Sequence, residues 1–226
     1  MEKHIDIELV GVSKTFNGKK VLNKANLKIE KGTTCVIIGR SGCGKSVMLK
    51  HVVGLLMPDS GRVLVKGKDI AKVTPQEMNA LRMKIGFEFQ GGALFDSMSV
   101  GENVGFGLIE HNHIDQKELL ERVEESLAMV DLHGIFNLSP GQLSGGMKKR
   151  VALARAICMK PDIILYDEPT TGVDPITSDS INQLIKSMHD KLKVTSVVVT
   201  HDMKSAYTVA DKIAMLYQGR IIAEGT

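Results

Sequence analysis

Apolar and polar residues alternate near the start of the chain, as they do in a half-buried strand. Residues 5–10 read Ile-Asp-Ile-Glu-Leu-Val, and a strong hairpin signal, Asn17-Gly18, follows them. Residues 62–66 alternate again between two turns, at 58–61 and 67–68. The pattern predicts a small antiparallel β element at the start of the chain, followed by two more edge strands.

Three short runs of apolar and β-branched residues, at 34–38, 163–166 and 196–200, show a different pattern. Continuous runs of this length are typical of strands that are buried on both faces of a sheet. Helical segments separate these runs, and the first helix is expected from Lys45 to about Leu56. The alternation of strands and helices predicts a parallel sheet with helices on both faces.

Helical spacing of apolar residues is clearest between Asp115 and Leu132. Asp115 stands where an N-cap residue belongs, and Glu118 follows it three residues later. The apolar positions that share one helix face are Leu119, Leu120, Val123, Leu127 and Val130. This amphipathic helix falls within residues 91–158, which we predict to be a helical insertion in an α/β core. Residues 87–108, by contrast, contain five glycines and are predicted to form neither a regular helix nor a strand.

The composition is that of one soluble globular unit. The chain has 226 residues, of which 43% are hydrophobic and 24% charged. No stretch approaches the roughly 18 apolar residues that a membrane helix needs, and residues 1–10 lack the apolar core of a secretion signal, so we expect a cytoplasmic protein. A net charge of +3 without a large Lys/Arg block argues against nucleic acid as a partner. Three cysteines at no metal-binding spacing are expected to be reduced.

A phosphate-binding loop is predicted between the first apolar run and its helix. Residues 39–46 read Gly-Arg-Ser-Gly-Cys-Gly-Lys-Ser, which fits the pattern G-x-x-x-x-G-K-[ST]. In such a loop the backbone N–H groups wrap the phosphates, Lys45 reaches the β/γ oxygens and Ser46 takes Mg²⁺. The simpler interpretation is a glycine turn ahead of a helix. The expected nucleotide-binding residues are Gly39, Arg40, Ser41, Gly42, Cys43, Gly44, Lys45, Ser46 and Val47.

Two adjacent acids end the second apolar run. Residues 163–168 read Ile-Ile-Leu-Tyr-Asp-Glu, and successive side chains of a strand point to opposite faces, so the two acids can have different roles. Asp167 would hold the Mg²⁺ shell, and Glu168 would act as general base for attack of water on the γ-phosphate. Alone, such a pair is usually a loop start or a helix cap. Together with the phosphate loop it predicts ATP hydrolysis.

A second anion site is predicted at residues 143–150, Leu-Ser-Gly-Gly-Met-Lys-Lys-Arg. A serine and two glycines precede a helical stretch at 151–157, and a helix N-terminus attracts phosphate. This segment lacks a phosphate-binding lysine of the kind at position 45. The alternative is that Ser144 only caps the helix.

With these motifs in this order, the chain resembles an ATP-binding cassette (ABC) ATPase over nearly its whole length. Residues 39–46 resemble the Walker A motif of that family, residues 164–168 the end of its Walker B motif and residues 143–147 its LSGGQ signature. Further positions resemble the adenine-stacking aromatic residue (Phe16), the Q-loop glutamine (Gln90), the D-loop (residues 171–174) and the switch histidine (His201). Val47 and Met147 depart from the usual Thr or Ser and from the usual Gln.

The resemblance implies a head-to-tail homodimer with two ATP molecules between the copies. Each ATP would lie between the Walker A motif of one copy and the signature of the other. It implies catalytic roles for Gln90, Glu168 and His201 and a Mg²⁺ site formed by Ser46, Gln90 and Asp167. The residues expected to bind nucleotide in trans are Ser144, Gly145, Gly146 and Asp174.

The resemblance also implies a domain division. Residues 1–226 would form a single nucleotide-binding domain of the P-loop NTPase class, with an N-terminal antiparallel β subdomain and an inserted α-helical subdomain. The catalytic core with its β subdomain would comprise residues 1–90 and 159–226, and the helical signature subdomain residues 91–158.

The segment around Gln90 indicates which kind of ABC ATPase the chain resembles. In ABC transporters the surface after this glutamine receives a short helix of the permease, so we expect permease docking near Gln90–Gly107, although packing within the chain is the alternative. The amino-acid sequences of residues 89–100, 143–150 and 167–177 resemble those of the ATPase subunit of Mce/Mla-type lipid transporters. That subfamily implies a peripheral position on the cytoplasmic face of the inner membrane and, as a further partner, an Mce-domain lipid-binding protein.

Three other functions are weighed against lipid transport. A soluble ABC ATPase of iron–sulfur cluster assembly and the ATPase of a non-lipid ABC importer share the same motifs. A small-molecule P-loop kinase would leave residues 143–147 and His201 unexplained. Because the chain stops where cassettes of this kind usually continue into further helices, we expect a mostly monomeric, slow ATPase in isolation.

Overall fold

The structure, a computed structural model, describes residues 4–111 and 114–226. Within these residues, ten strands form two sheets, one of four and one of six strands. The strands are β1 (Ile5–Phe16), β2 (Lys19–Glu30), β3 (Thr34–Ile38), β4 (Ser60–Val65), β5 (Lys68–Asp69), β6 (Ile85–Glu88), β7 (Ile163–Asp167), β8 (Thr195–Thr200), β9 (Lys212–Tyr217) and β10 (Arg220–Gly225).

The four-stranded sheet is antiparallel, with the strand order β2-β1-β4-β5. The predicted hairpin is confirmed: Asn17 and Gly18 connect β1 to β2 with φ values of 48° and 77°, the left-handed region that a tight hairpin turn requires. The prediction of two edge strands after it is half wrong. β5 is an edge strand, but β4 pairs with both β1 and β5 and is therefore interior.

The six-stranded sheet has the order β10-β9-β3-β8-β7-β6 and is parallel except for β10. Along β3, β7 and β8 the side chains alternate between two separate hydrophobic clusters, one on each face. The predicted α/β core with a parallel sheet covered on both faces is confirmed. In a parallel sheet the carboxyl ends of neighbouring strands lie at one edge, so the segments after β3, β8, β7 and β6 lie side by side.

Seven α-helices are present in the residues that the structure describes. They are α1 (Lys45–Val52), α2 (Pro75–Arg82), α3 (Val100–His111), α4 (Gln116–Ala128), α5 (Gly145–Cys158), α6 (Pro175–Leu192) and α7 (Met203–Val209). A single 3₁₀ turn, Pro140–Gln142, precedes α5. None of these helices is both long and apolar enough to cross a membrane.

The first helix is shorter than the apolar pattern predicts. α1 ends at Val52 because Gly54 adopts a left-handed conformation with φ 64°, and the N–H of Leu55 then bonds back to the carbonyl of Lys50. α4 begins as predicted, with the Asp115 side chain accepting a hydrogen bond from the N–H of Glu118.

The glycine-rich stretch at 87–108 is more regular than predicted. It contributes the end of β6 and most of α3, which begins with Ser99 and Glu102 capping each other's N–H groups. The helix keeps its glycines because neighbours occupy the space a side chain would need. A Cβ on Gly101 would lie 2.4 Å from the ring of Phe136, and one on Gly105 2.8 Å from Leu119. Close packing against the following segment outweighs the poor helix propensity of glycine.

β6 and α5 approach so closely that only glycine fits between them. A Cβ on Gly86 would lie 2.1 Å from the carbonyl oxygen of Ala156, which is backbone and cannot rotate away. We expect Gly86→Ala to lower the free energy of unfolding by about 1–3 kcal/mol or more, measured by urea denaturation. Gly141→Ala is the control, because the nearest atom there is the Ser139 hydroxyl at 3.9 Å. Equal free energies of unfolding for Gly86→Ala and Gly141→Ala would contradict the close contact between β6 and α5.

Candidate functional site

The predicted phosphate loop connects β3 to α1 at the carboxyl edge of the six-stranded sheet. Gly42 and Gly44 have φ values of 75° and 109°, so the loop uses conformations that other residues avoid. Lys45 begins α1 and is 5% exposed. Its Nζ donates hydrogen bonds to the carbonyls of Gly39 at 2.8 Å and Arg40 at 3.3 Å. The lysine is therefore folded back over its own loop.

The two acids after β7 face this loop with different partners. Asp167 accepts a hydrogen bond from the Ser46 hydroxyl at 2.7 Å, and burial raises the pKa of its carboxyl group. Glu168 Oε1 lies 3.1 Å from the Nζ of Lys45. The two acids thus meet different partners, Asp167 a hydroxyl group and Glu168 an ammonium group. Hydroxyl and carboxylate oxygens side by side are hard ligands of the kind that Mg²⁺ prefers, so Ser46 and Asp167 fit that ion.

Glu168 also meets the segment after β8. Its Oε2 lies 2.8 Å from Nδ1 of His201 and accepts a hydrogen bond from the Thr171 hydroxyl at 3.2 Å. The backbone of Glu168 has φ 55°, an uncommon conformation for a residue with a side chain. Strained backbone of this kind is found at functional sites, where the surrounding contacts hold it in place.

A buried hydrogen-bond network that sequence reasoning missed supports the histidine. Asp202 caps α7 and accepts a hydrogen bond from Ser205 Oγ at 2.5 Å, which lowers the pKa of Asp202. Ser205 Oγ also accepts from the Asn182 amide on α6 at 2.9 Å and lies 3.4 Å from the Thr170 hydroxyl. The segments that carry Glu168 and His201 therefore meet at one buried hydroxyl. The one sequence pattern that indicates part of this network is the Asp-x-x-Ser spacing at 202–205, which is a helix-capping pattern.

A cavity of about 320 Å³ opens between these segments. Gln90, two residues after the end of β6, lines it together with the phosphate loop and Glu168. The complete lining is Val21, Ser41, Gly42, Gly44, Lys45, Ser46, Val47, Gln90 and Glu168. Phe16 does not line this cavity. It is exposed at the end of β1, with the Nζ of Lys14 at 5.7 Å from its ring centre.

The predicted second anion site is a separate group of residues. Ser144 caps α5 by accepting a hydrogen bond from the N–H of Met147. Asp174 caps α6 and accepts from the Thr177 hydroxyl at 2.6 Å, which lowers the pKa of Asp174. The two helix starts are neighbours, since a Cβ on Gly146 would lie 3.1 Å from the methyl group of Thr177. Neither Asp174 nor any of the residues 144–146 lines the cavity at Lys45.

Comparison with known proteins places this arrangement in context. Residues 22–171 match the family model described as "ABC transporter", a stretch that includes the phosphate loop, Gln90, the signature segment and both acids. The chain is 40% identical over 220 residues to the intermembrane phospholipid transport system ATP-binding protein MlaF of Haemophilus influenzae, covering 97% of this chain and 83% of that protein. It is 39% identical over 221 residues to the probable ribonucleotide transport ATP-binding protein mkl of Mycobacterium bovis, covering 98% of this chain and 62% of that protein.

A solved structure matches the fold over almost the full length. The dimeric post-hydrolysis state of the ATP-binding cassette MJ0796, bound to ADP and Pi, has a TM-score of 0.89 and 35% identity. The match covers 97% of this chain and 98% of that one. The likeness therefore extends over nearly the whole chain.

Proposed function

Because the chain belongs to the ABC transporter family and is one of its ATP-hydrolysing cassettes, we propose that it powers a membrane transporter of phospholipids. The observation that carries the ATPase part is the meeting of four segments at one sheet edge: the phosphate loop, Gln90, the acids after β7 and His201. Phospholipid as the cargo is supported by residues 89–100 and 167–177, whose amino-acid sequences resemble those of Mce/Mla-type ATPases. MlaF, named for phospholipid transport, also aligns over more of its length than mkl, named for ribonucleotides.

In the proposed reaction, water attacks the γ-phosphorus in line as the bond to the ADP oxygen breaks. Glu168 accepts the proton of the water through a carboxylate oxygen, and His201, 2.8 Å away, holds that carboxylate in place and contacts the γ-phosphate. Ser46, Gln90 and Asp167 would hold Mg²⁺, which would supply positive charge against the β- and γ-phosphates. The N–H groups of residues 39–46 bind the phosphates.

Lys45 connects binding with catalysis in this scheme. Its ammonium group lies 3.1 Å from Glu168 and donates hydrogen bonds to two loop carbonyls. Phosphate oxygens would replace these partners when ATP binds. Glu168 is then released from the lysine and becomes free to take the proton of water.

We propose that a second copy of the chain completes the site. Ser144, Gly145, Gly146 and Asp174 form a group of their own outside the cavity, as expected for residues that bind nucleotide across a homodimer interface. The dimeric MJ0796 cassette supports this arrangement. Phe16 would stack on the adenine; its exposed ring is available for such a contact.

The proposed partners follow from the transporter assignment. Permease subunits would dock near Gln90–Gly107, where Phe89 and Phe95 are exposed, and the chain would lie peripherally on the cytoplasmic face of the inner membrane. An Mce-domain protein would carry the lipid. The proposal includes no nucleic acid.

Purification from native membranes tests the cargo. The tagged chain would be extracted in mild detergent, and the proteins and lipids that co-purify would be identified by mass spectrometry, with an untagged strain as control. A permease and an Mce-domain protein with bound phospholipid are the expected result. A different permease would keep the ATPase function and exclude the lipid cargo. Soluble partners alone would favour cluster assembly.

Cysteine labelling tests nucleotide binding at the loop. Cys35 and Cys158 are buried, and burial raises the pKa of both thiols, to about 12 for Cys35. Cys43, in the phosphate loop, is the partly exposed one. We expect a maleimide to modify only Cys43 in the folded chain, and saturating MgATP to slow that reaction by about tenfold or more. Cys43→Ser is the control that should remove the labelling, and an unchanged rate with MgATP would contradict the prediction.

A further inference from the structure

A buried acid lies two residues before Gln90 and takes no part in the reaction described above. Glu88 ends β6 and is 0% exposed. Its Oε1 lies 3.7 Å from the Nζ of Lys149 on α5, which is 6% exposed. Neither oxygen of Glu88 nor the Nζ of Lys149 has a hydrogen-bond partner among the described residues.

Stability does not explain this pair. Removing both charged groups from water costs free energy that a contact of 3.7 Å without hydrogen bonds recovers poorly. Buried polar pairs of this kind are best attested where they fix one element in register against another.

The same helix also holds the chain on the other side of Gln90. Arg155 lies six residues after Lys149 on α5, and its guanidinium group donates to the carbonyls of Gly92 at 2.6 Å and Ala93 at 2.8 Å. Residues 91–93 all have positive φ, so this turn is tight and the two hydrogen bonds fix its course. α5 therefore contacts the chain two residues before Gln90 and again two and three residues after it.

The other end of α5 carries the signature residues. The helix begins directly after Ser144, and it packs on β6 without a gap at Gly86. A helix is stiff along its axis, so a shift of its N-terminus is carried to Lys149 and Arg155. The contacts of Lys149 and Arg155 on either side of Gln90 would then move Gln90 as well.

We propose that Glu88, Lys149 and Arg155 are positioning residues that link Gln90 to α5, the helix that begins with the signature residues. Gln90 then reaches its catalytic position only when α5 has moved into place. This rests on the proposed role of Gln90 in the ATPase site. None of the three residues lines the cavity at Lys45, so they act through Gln90. Their loss should reduce the rate of hydrolysis rather than the binding of ATP.

Two variants separate positioning from stability. Glu88→Met/Lys149→Met replaces both groups by unbranched apolar side chains of similar length, which removes the link without leaving a buried charge. Arg155→Lys keeps a charge at a partly exposed position but cannot donate to two carbonyls in a fixed fork. The control, Val151→Ala, removes packing from the buried face of the same helix. Gln90→Ala tests the role of the glutamine itself.

Each purified chain would be assayed for ATP hydrolysis at increasing protein concentration until the rate per chain is constant, and its thermal unfolding measured. We expect the double variant to keep a melting temperature close to that of the wild type, and Glu88→Met alone to melt lower because Lys149 is left unpaired. For both the double variant and Arg155→Lys we expect kcat to fall about fivefold or more, with KM for ATP within about twofold. Val151→Ala should melt lower yet keep kcat.

The outcomes distinguish the inference from the function on which it rests. If Gln90→Ala lowers kcat while the double variant and Arg155→Lys both keep the wild-type value, the positioning role is wrong and the proposed role of Gln90 stands. If Gln90→Ala itself keeps kcat, both fail. Should the double variant not fold, Arg155→Lys decides alone: wild-type kcat contradicts the proposal and a loss of kcat at constant KM supports it.

Discussion

Glu168→Gln is expected to reduce ATP turnover by about 10²–10⁴-fold while leaving ATP bound as tightly as before. Glutamine has the shape of glutamate but cannot take a proton from water. The substitution also removes the negative charge that lies 3.1 Å from Lys45, so the lysine is free for phosphate oxygens. Binding is therefore preserved or strengthened while the chemical step is lost.

Release of phosphate and equilibrium binding of ATP would be measured on the same preparation. Glu121→Gln is a matched control: it makes the same chemical change at an exposed position of α4, where the carboxylate lies 4.0 Å from Lys117. It should hydrolyse ATP at the wild-type rate. Equal turnover by the wild type and Glu168→Gln would show that Glu168 is not the base.

Local patterns explain why the position of the candidate site, at one edge of the parallel sheet, could be predicted from the sequence. The runs at 34–38, 163–166 and 196–200 correspond to β3, β7 and β8, because strands buried on both faces must be apolar throughout. Once these strands are parallel neighbours, the residues that follow them must meet. The loop at Gly39, the acid Glu168 and His201 accordingly lie together.

Interactions between distant segments could not be predicted in this way. α3 forms despite its glycines because Phe136 and Leu119 pack where side chains would otherwise be, and no local pattern contains those contacts. Similarly, Ser205 bridges Asn182 and Asp202 across two helices, and Glu88 meets Lys149 from another element. In each case the tertiary neighbour decides the role of the residue.

Gly146→Asp is expected to abolish ATP-dependent dimerisation without weakening ATP binding to the single chain. Gly146 lies in the first turn of α5, where the helix N-terminus would face a phosphate of the partner copy's ATP. Aspartate places a negative charge against that phosphate, and its Cβ would press on the Thr177 methyl at 3.1 Å. The cavity at Lys45 is untouched, because Gly146 does not line it.

The background for this test is Glu168→Gln, in which hydrolysis cannot disperse the dimer. Light scattering with MgATP should give a dimer for Glu168→Gln and a monomer for Glu168→Gln/Gly146→Asp, with equal ATP affinity for the monomeric chains. Gly141→Asp makes the same change five residues earlier at an exposed position and should leave the dimer intact. If the chain with Gly146→Asp still dimerises on ATP, the signature segment does not contact the nucleotide of the other copy. Weakened ATP binding by the monomer would instead mean that the segment acts on the nucleotide of its own chain.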